Sequence, residues 1–248
     1  MRTCLFAGPS LTRVAVPDTI HRFGPVALGG VFRAVEAGYR RIGIVDGLFG
    51  NVPSVWHKEI LFALSQGVEV IGAASMGALR AAELSAYGMA GIGCIYRMYR
   101  RGAWTDDDEV AIIHADAEYG YLPLSEPMAN IRFTLRRMRR LGLLVERNER
   151  ALLARMKELH FSQRNRDTLA AAAMELAGRT SPALLRGFAN HYVAAKERDA
   201  RALLADLARP PRRATRPRWT FPRTSVWVRQ FEERLVDVPH LPEPLRVP

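Results

Sequence analysis

The residues Val68-Glu69-Val70-Ile71-Gly72-Ala73-Ala74-Ser75-Met76-Gly77-Ala78-Leu79-Arg80 constrain the fold more than any other stretch of the chain. The apolar run suits a strand packed on both faces, and Ala78 to Leu84 is strong helix-forming sequence. The segment therefore reads as a buried strand that turns directly into a helix. Gly72 and Gly77 permit close approach of the two. Ala73-Ala74-Ser75-Met76-Gly77 is a variant of the nucleophile elbow, with Ala where that pattern has its first Gly. Such a bend projects the Ser75 hydroxyl above the sheet edge, where the N–H of Met76 can help to hold an oxyanion at the helix start. Small residues are also common wherever a parallel strand meets its helix, so plain packing is the competing reading.

Around this bend the sequence alternates between strand and helix. Residues 4–7 read as a first strand closed by Gly8-Pro9-Ser10, residues 31–37 as a helix stopped at Gly38, and residues 41–45 as a strand ending in Asp46-Gly47. A helix over 53–66, the strand 68–74 and the elbow helix follow, then a short helix over 95–101 and a further strand over 110–114. This alternation predicts an α/β fold, a parallel sheet of about four strands with flanking helices. Ligands gather at the carboxyl ends of strands in such sheets, which brings Gly8–Ser10, Asp46-Gly47 and Ser75–Gly77 toward one edge. The acidic run Asp106-Asp107-Asp108-Glu109 could attract a hard cation. Adjacent side chains point in different directions, however, and a solvated or arginine-paired turn is the preferred reading.

From Ser125 the strand signals stop. Helices are predicted over 127–140, 147–161, 167–177 and 182–207, giving a helical C-terminal half. The expected division is an α/β core at 1–122, a helical layer or subdomain at 123–208 and an Arg/Pro-rich arm at 209–248. The run Arg209-Pro210-Pro211-Arg212-Arg213 can bury little, yet Trp219, Phe221 and Trp227 imply that the arm docks on its own body, a second subunit or a partner.

Composition bears mainly on what to exclude. No apolar run approaches the ~20 residues needed to cross a bilayer and no secretory-signal pattern opens the chain, so the expectation is a soluble, cytoplasmic protein. The two cysteines, Cys4 and Cys94, form neither a metal cluster nor a disulfide framework. A net charge of +11 and pI near 10.4 could attract nucleic acid or an acidic partner. Without a zinc-finger spacing or an aromatic RNA-binding motif, nucleic acid is the minor reading.

Lysine occurs three times, at Lys58, Lys157 and Lys196. A catalytic Ser75 needs a base, and His57 and Lys58 on the preceding helix are the candidates, with His114 a third. Leu61 and Phe62, one turn on from Lys58, provide partly apolar surroundings in which a lysine gives up its proton more readily, as an arginine could not. Spacing alone does not choose between His57 and Lys58. Asp46 could orient the base or merely cap its turn. Arg80, Gly77 or the Gly8–Ser10 loop could contact the substrate's acyl group, and Glu59 and Glu83 could pair with nearby arginines.

Phe6-Ala7-Gly8-Pro9-Ser10, Ile44-Val45-Asp46-Gly47-Leu48-Phe49, Val55-Trp56-His57-Lys58-Glu59-Ile60, Gly72 to Glu83 and Asp107-Asp108-Glu109-Val110-Ala111, in that order, resemble the TfuA family over about the first 140 residues. The chain has Gly29-Gly30 where TfuA-like proteins often have Gly-Asp. The resemblance implies an accessory protein for YcaO enzymes, which replace a peptide amide oxygen with sulfur. It implies a Ser–Lys hydrolase-like site that releases sulfide from the C-terminal thiocarboxylate of a ThiS-like sulfur carrier. Ser75 and Lys58 match that pair, which favours Lys58 over His57. The expected partners are the YcaO enzyme, the carrier and, through YcaO, the substrate peptide, with homo-oligomers possible. No cofactor is expected on this chain, ATP being used by the YcaO partner. The alternative is a non-enzymatic adaptor that recruits peptide or carrier through its basic surface.

Overall fold

The computed structural model describes residues 1–48, 50, 52–177, 182–211 and 218–233. Residues 212–217 and 234–248 of the expected arm lie outside them. The chain divides into two compact units, one holding Met1–Thr105 and the chain from Glu197 onward, the other Asp106–Lys196. The expected division at 122 and 208 thus differs from the observed one, because the last long helix belongs with the sheet.

The first unit is built on five parallel strands, β1 (Thr3–Phe6), β2 (Ile20–Phe23), β3 (Arg41–Ile44), β4 (Glu69–Ala73) and β5 (Ala90–Ile92), in the order β2-β1-β3-β4-β5. This is the 2-1-3-4-5 order of a doubly wound sheet, whose switch point lies between β1 and β3. Helices α1 (Gly30–Glu36), α2 (His57–Ser65), α3 (Met76–Leu84) and α4 (Gly93–Arg100) follow β2, β3, β4 and β5.

Strand alternation sends residues to opposite faces. Cys4, Phe6, Ile42, Ile44 and Val70 join one core with Val31, Ala34 and Val35 of α1 and Ile60, Ala63 and Leu64 of α2. Leu5, Ala7, Val45, Ile71 and Ala73 join a second with Ala200, Leu203, Leu204 and Leu207. Those four lie on the helix Ala195–Leu207, which supplies the second layer although it is more than a hundred residues from the strands it covers. It is fastened by Arg41, whose guanidinium meets Asp206 at 3.1 Å, the Leu207 carbonyl at 3.0 Å and Glu69 at 2.8 Å.

The sheet has one strand more than expected, and its composition differs. Residues 110–114 are not a strand of it. The 3₁₀ turn Asp107–Glu109 runs into irregular chain there, and His114 makes an isolated bridge to Pro123. Two strands went unforeseen. β2 reaches β1 through a connection holding only a 3₁₀ turn, Pro9–Leu11, so the helix that marks most parallel crossovers is missing. β5 is three residues, Ala-Gly-Ile, too short and small for a periodic signal. Residues 53–56 precede α2 rather than belonging to it, because Glu59 Oε1 accepts the Trp56 N–H at 3.0 Å and caps the helix there.

The second unit contains α5 (Met128–Arg140), α6 (Glu146–Glu158), α7 (Arg166–Ala177) and α8 (Pro182–Asn190). Met128, Ile131, Leu135, Met138, Leu152, Met156, Leu169 and Phe188 form its core. The helix expected over 182–207 breaks after Asn190, where the chain is tied to α5. Tyr192 accepts from Asn130 at 2.7 Å and donates to Glu126 at 2.7 Å, while the Val193 N–H donates to Thr134 Oγ1 at 2.9 Å. Ala195–Leu207, hereafter α9, begins beyond the break. The acidic turn is paired with cations. Glu109 is buried and takes Arg132 at 2.7 and 2.8 Å and Lys157 at 3.0 Å, and Asp108 takes Arg164 at 2.5 Å and also Lys157. Among the described residues no helix is long and apolar enough to cross a membrane.

Candidate active site

The turn between β4 and α3 is set by glycines rather than by a side-chain cap. A Cβ on Gly72 would lie 1.9 Å from the Gly77 carbonyl oxygen, and one on Gly77 would lie 1.8 Å from the Ile44 carbonyl oxygen. Only bare backbone lets α3 start so close to β3 and β4, and the Gly77 N–H donates to the Val45 carbonyl at 3.1 Å. The chain then reaches the helix through Ala74 at φ +65°, a left-handed conformation that an alanine rarely adopts. That strain sits one residue before the serine.

Ser75 is 8% exposed. Its Oγ caps nothing and has no hydrogen-bond partner among the described residues. The Met76 N–H, first in α3, likewise donates to no carbonyl among them. A near-buried hydroxyl and a free backbone donor thus adjoin at the carboxyl edge of the central strands.

The three expected loops do meet at this edge. Phe6, Ile44 and Gly72 stand in register across β1, β3 and β4, the Asp46 N–H donates to the Phe6 carbonyl at 3.3 Å, and Gly47 abuts the Met76 side chain. Asp46, however, turns toward the first loop rather than toward a base. Its Oδ2 accepts the N–H groups of Gly8 at 2.9 Å and Ser10 at 3.0 Å, and its Oδ1 accepts the Ser10 hydroxyl at 2.6 Å. Proline at position 9 has no N–H, so the donors expected of the Gly8–Ser10 loop are consumed by Asp46. This carboxylate pins the loop across the switch point of the sheet.

His57 and Lys58 occupy the first turn of α2 and face different neighbours. His57 is exposed, with Nε2 at 2.8 Å from Glu83 Oε2 and 3.3 Å from Arg80 Nη1. Arg80 spends its guanidinium on Glu83 at 2.8 Å and on the Val55 carbonyl at 3.3 Å. Burial would raise the Glu83 carboxyl, but hydrogen bonds and charge from His57 and Arg80 outweigh it and hold it below the usual carboxylate range. The half-buried Lys58 donates from Nζ to Thr224 Oγ1 at 2.6 Å and lies 5.8 Å from the centre of the Phe221 ring. It makes no hydrogen bond with Ser75.

Two features of this arrangement went unread in the sequence. Glu59, expected to pair with an arginine, is 0% exposed and accepts the Phe32 N–H at 3.3 Å as well as that of Trp56, joining the starts of α1 and α2 beside Lys58. Burial pushes its carboxyl up to about 7, against the lowering effect of the backbone donors. The second is Thr224, whose signal is the Thr-Ser-Val-Trp pattern of a helix cap: it accepts the Trp227 N–H at 3.4 Å at the start of a short helix, α10 (Ser225–Trp227). His114 belongs to the other unit and places Nδ1 at 2.8 Å from the Ala115 carbonyl.

The sheet order and the serine at its β4–α3 turn define an α/β protein of the doubly wound kind with candidate chemistry at the carboxyl edge. Residues 46–165 match the family model described as TfuA-like protein. The match begins at Asp46 and takes in Lys58, Ser75 and the acidic turn. No curated protein matches the chain.

Proposed function

We propose that this chain is a YcaO-partner protein for peptide thioamidation, one that hydrolyses the thiocarboxylate of a ThiS-like sulfur carrier with Ser75 as nucleophile and Lys58 as base. The observation that carries the reading is the Ser75 Oγ beside the Met76 N–H at a strained turn, neither of them with a hydrogen-bond partner among the described residues. The substrate class follows from the resemblance to TfuA-like proteins, which the family match over residues 46–165 supports. Ser75 Oγ attacks the carbonyl carbon as its proton passes to Lys58, and the Met76 N–H steadies the oxyanion. The C–S bond then breaks as the Lys58 ammonium gives that proton to the departing sulfur, so hydrosulfide leaves and Lys58 is neutral again. Neutral Lys58 next takes a proton from water, which attacks the acyl–Ser75 ester; the proton passes to the departing Ser75 Oγ and the carrier carboxylate is returned. With Gly8 and Ser10 engaged by Asp46, a second oxyanion donor has to come from elsewhere, and Lys58 has to leave Thr224 to reach Ser75.

A second reading, the non-enzymatic adaptor, draws on a different surface. Arg136, Arg137 and Arg140 are exposed on α5, followed by exposed Leu141, Leu143 and Val145. One assay separates the two: sulfide release from purified thiocarboxylated carrier, with thioamidation by YcaO followed in parallel. The hydrolase reading expects Ser75→Ala to lower release by roughly 10³-fold and Lys58→Ala by about 10²-fold or more. Wild-type release by Ser75→Ala would overturn it. Intact thioamidation in that variant would favour the adaptor.

A further inference from the structure

The segment after α9 returns to the α2 side of the sheet and builds an aromatic cluster there. Trp227, 1% exposed, stacks at 4.4 Å from Phe231, 5.1 Å from Phe62 and 5.7 Å from Phe32, while Phe231 lies 5.8 Å from Trp56. Phe221 lies 4.9 Å from Trp227 and 5.7 Å from Phe62. The Trp219 indole N–H donates to the Tyr87 carbonyl at 3.2 Å. Phe62 sits one turn after Lys58, and Trp56 two residues before it. The aromatic anchors therefore bracket the lysine and fix Thr224 above it.

We infer that Thr224 is a positioning residue that parks the Lys58 amine away from Ser75, so that the C-terminal segment is part of the site and sets how often the base is available. This rests on the reading of Ser75 and Lys58 as a reacting pair. The 2.6 Å contact is a direct amine-to-hydroxyl hydrogen bond, and the Phe221 ring stands where an aromatic face attracts a cation. In this structure the amine makes the Thr224 contact and no hydrogen bond to Ser75 Oγ. The flexible four-carbon stem lets a lysine amine change hydrogen-bond partners.

The test exploits the three-lysine composition. The intact protein is labelled with an amine-acylating ester, and the rates at Lys58, Lys157 and Lys196 are read by peptide mass spectrometry. Thr224→Val, which keeps shape but removes the hydroxyl, is expected to speed labelling of Lys58 by about fivefold with the other two lysines unchanged, the effect of losing one hydrogen bond. Thr224→Ser is expected to restore the wild-type rate. Turnover of thiocarboxylated carrier should rise in Thr224→Val with little change in KM and return in Thr224→Ser. Equal Lys58 labelling in wild type and Thr224→Val would overturn the inference.

Should Thr224→Val loosen the whole fold, all three lysines would label faster, and the wild-type protein then decides. After reductive ¹³C-methylation the Lys58 signal, assigned with Lys58→Arg, is expected to be displaced by the Phe221 ring current and to lose that displacement in Phe221→Leu. No displacement in wild type would sink the proposal. If labelling responds as expected while Ser75→Ala still releases sulfide at the wild-type rate, the parking contact stands and the hydrolase reading fails.

Discussion

Glu59 shows how one buried side chain can govern both shape and pH response. Its two oxygens accept backbone N–H groups at the starts of two helices, and burial raises its carboxyl from 4.5 to about 7. A carboxyl that titrates higher folded than unfolded contributes most below the unfolded value, and that contribution is lost as pH rises through the folded one. The wild-type protein is therefore expected to lose up to about 3 kcal/mol of stability between pH 4.5 and pH 7 from this group. Glu59→Gln should lower stability at acid pH, because an amide nitrogen would oppose a backbone donor, yet flatten the slope. Urea unfolding across that pH range measures both. Equal slopes in the two proteins would show that Glu59 keeps its charge when folded. Nothing in the sequence distinguished this glutamate from an ordinary helix-surface acid, since beside the local Trp56 N–H the donor that holds it is the Phe32 N–H of α1, more than twenty residues away. Asp46 was legible as a loop residue of the site, but its grip on Gly8 and Ser10 belongs to the folded sheet edge and not to local pattern.

At the scale of the element, the strand–turn–helix at Ser75 was the most legible part of the chain, because each of its requirements is written locally. Apolar residues specify the buried strand, alanine and leucine the helix, and two glycines the close approach. The approach is tighter than a turn motif demands. With a Cβ at position 77 meeting the Ile44 carbonyl oxygen at 1.8 Å, Gly77→Ala must push α3 off β3 and is expected to cost on the order of 3 kcal/mol. Thermal unfolding checks this, and a variant as stable as wild type would mean that α3 can shift without loss. The elements that escaped sequence reading are those whose signals are tertiary. β5 is strand because Ile71, Gly72 and Ala73 offer it a ladder, and the 182–207 helix breaks because Tyr192 and Val193 find better partners on α5. Conversely, the apolar run 110–114 carries strand composition but sits in the helical unit, where Glu109 and Lys196 tie down its beginning.

For the whole molecule, an α/β class was legible from the alternation of strands and helices, whereas the layering was not. Periodicity marks α9 as a helix without saying that its apolar side belongs to a sheet laid down at the other end of the chain. That assignment makes a quantitative claim. Leu203 is fully buried against the sheet near Gly43, so Leu203→Ala is expected to destabilise the sheet unit by about 2–5 kcal/mol. Unfolding followed through Trp227, which lies in that unit, should report the loss, and an unchanged transition would remove α9 from its covering role. The same layering has a consequence for synthesis. A ribosome delivers β1 to β5 long before α9, and until residue 207 has emerged Leu5, Ala7, Val45, Ile71 and Ala73 lack the cover that α9 gives that face. The nascent sheet must wait, sticky on one side, while the entire helical unit is made, and the segment carrying Thr224 arrives later still. The sheet therefore gains its second layer, and Lys58 its contact with Thr224, only after the whole helical unit has been made.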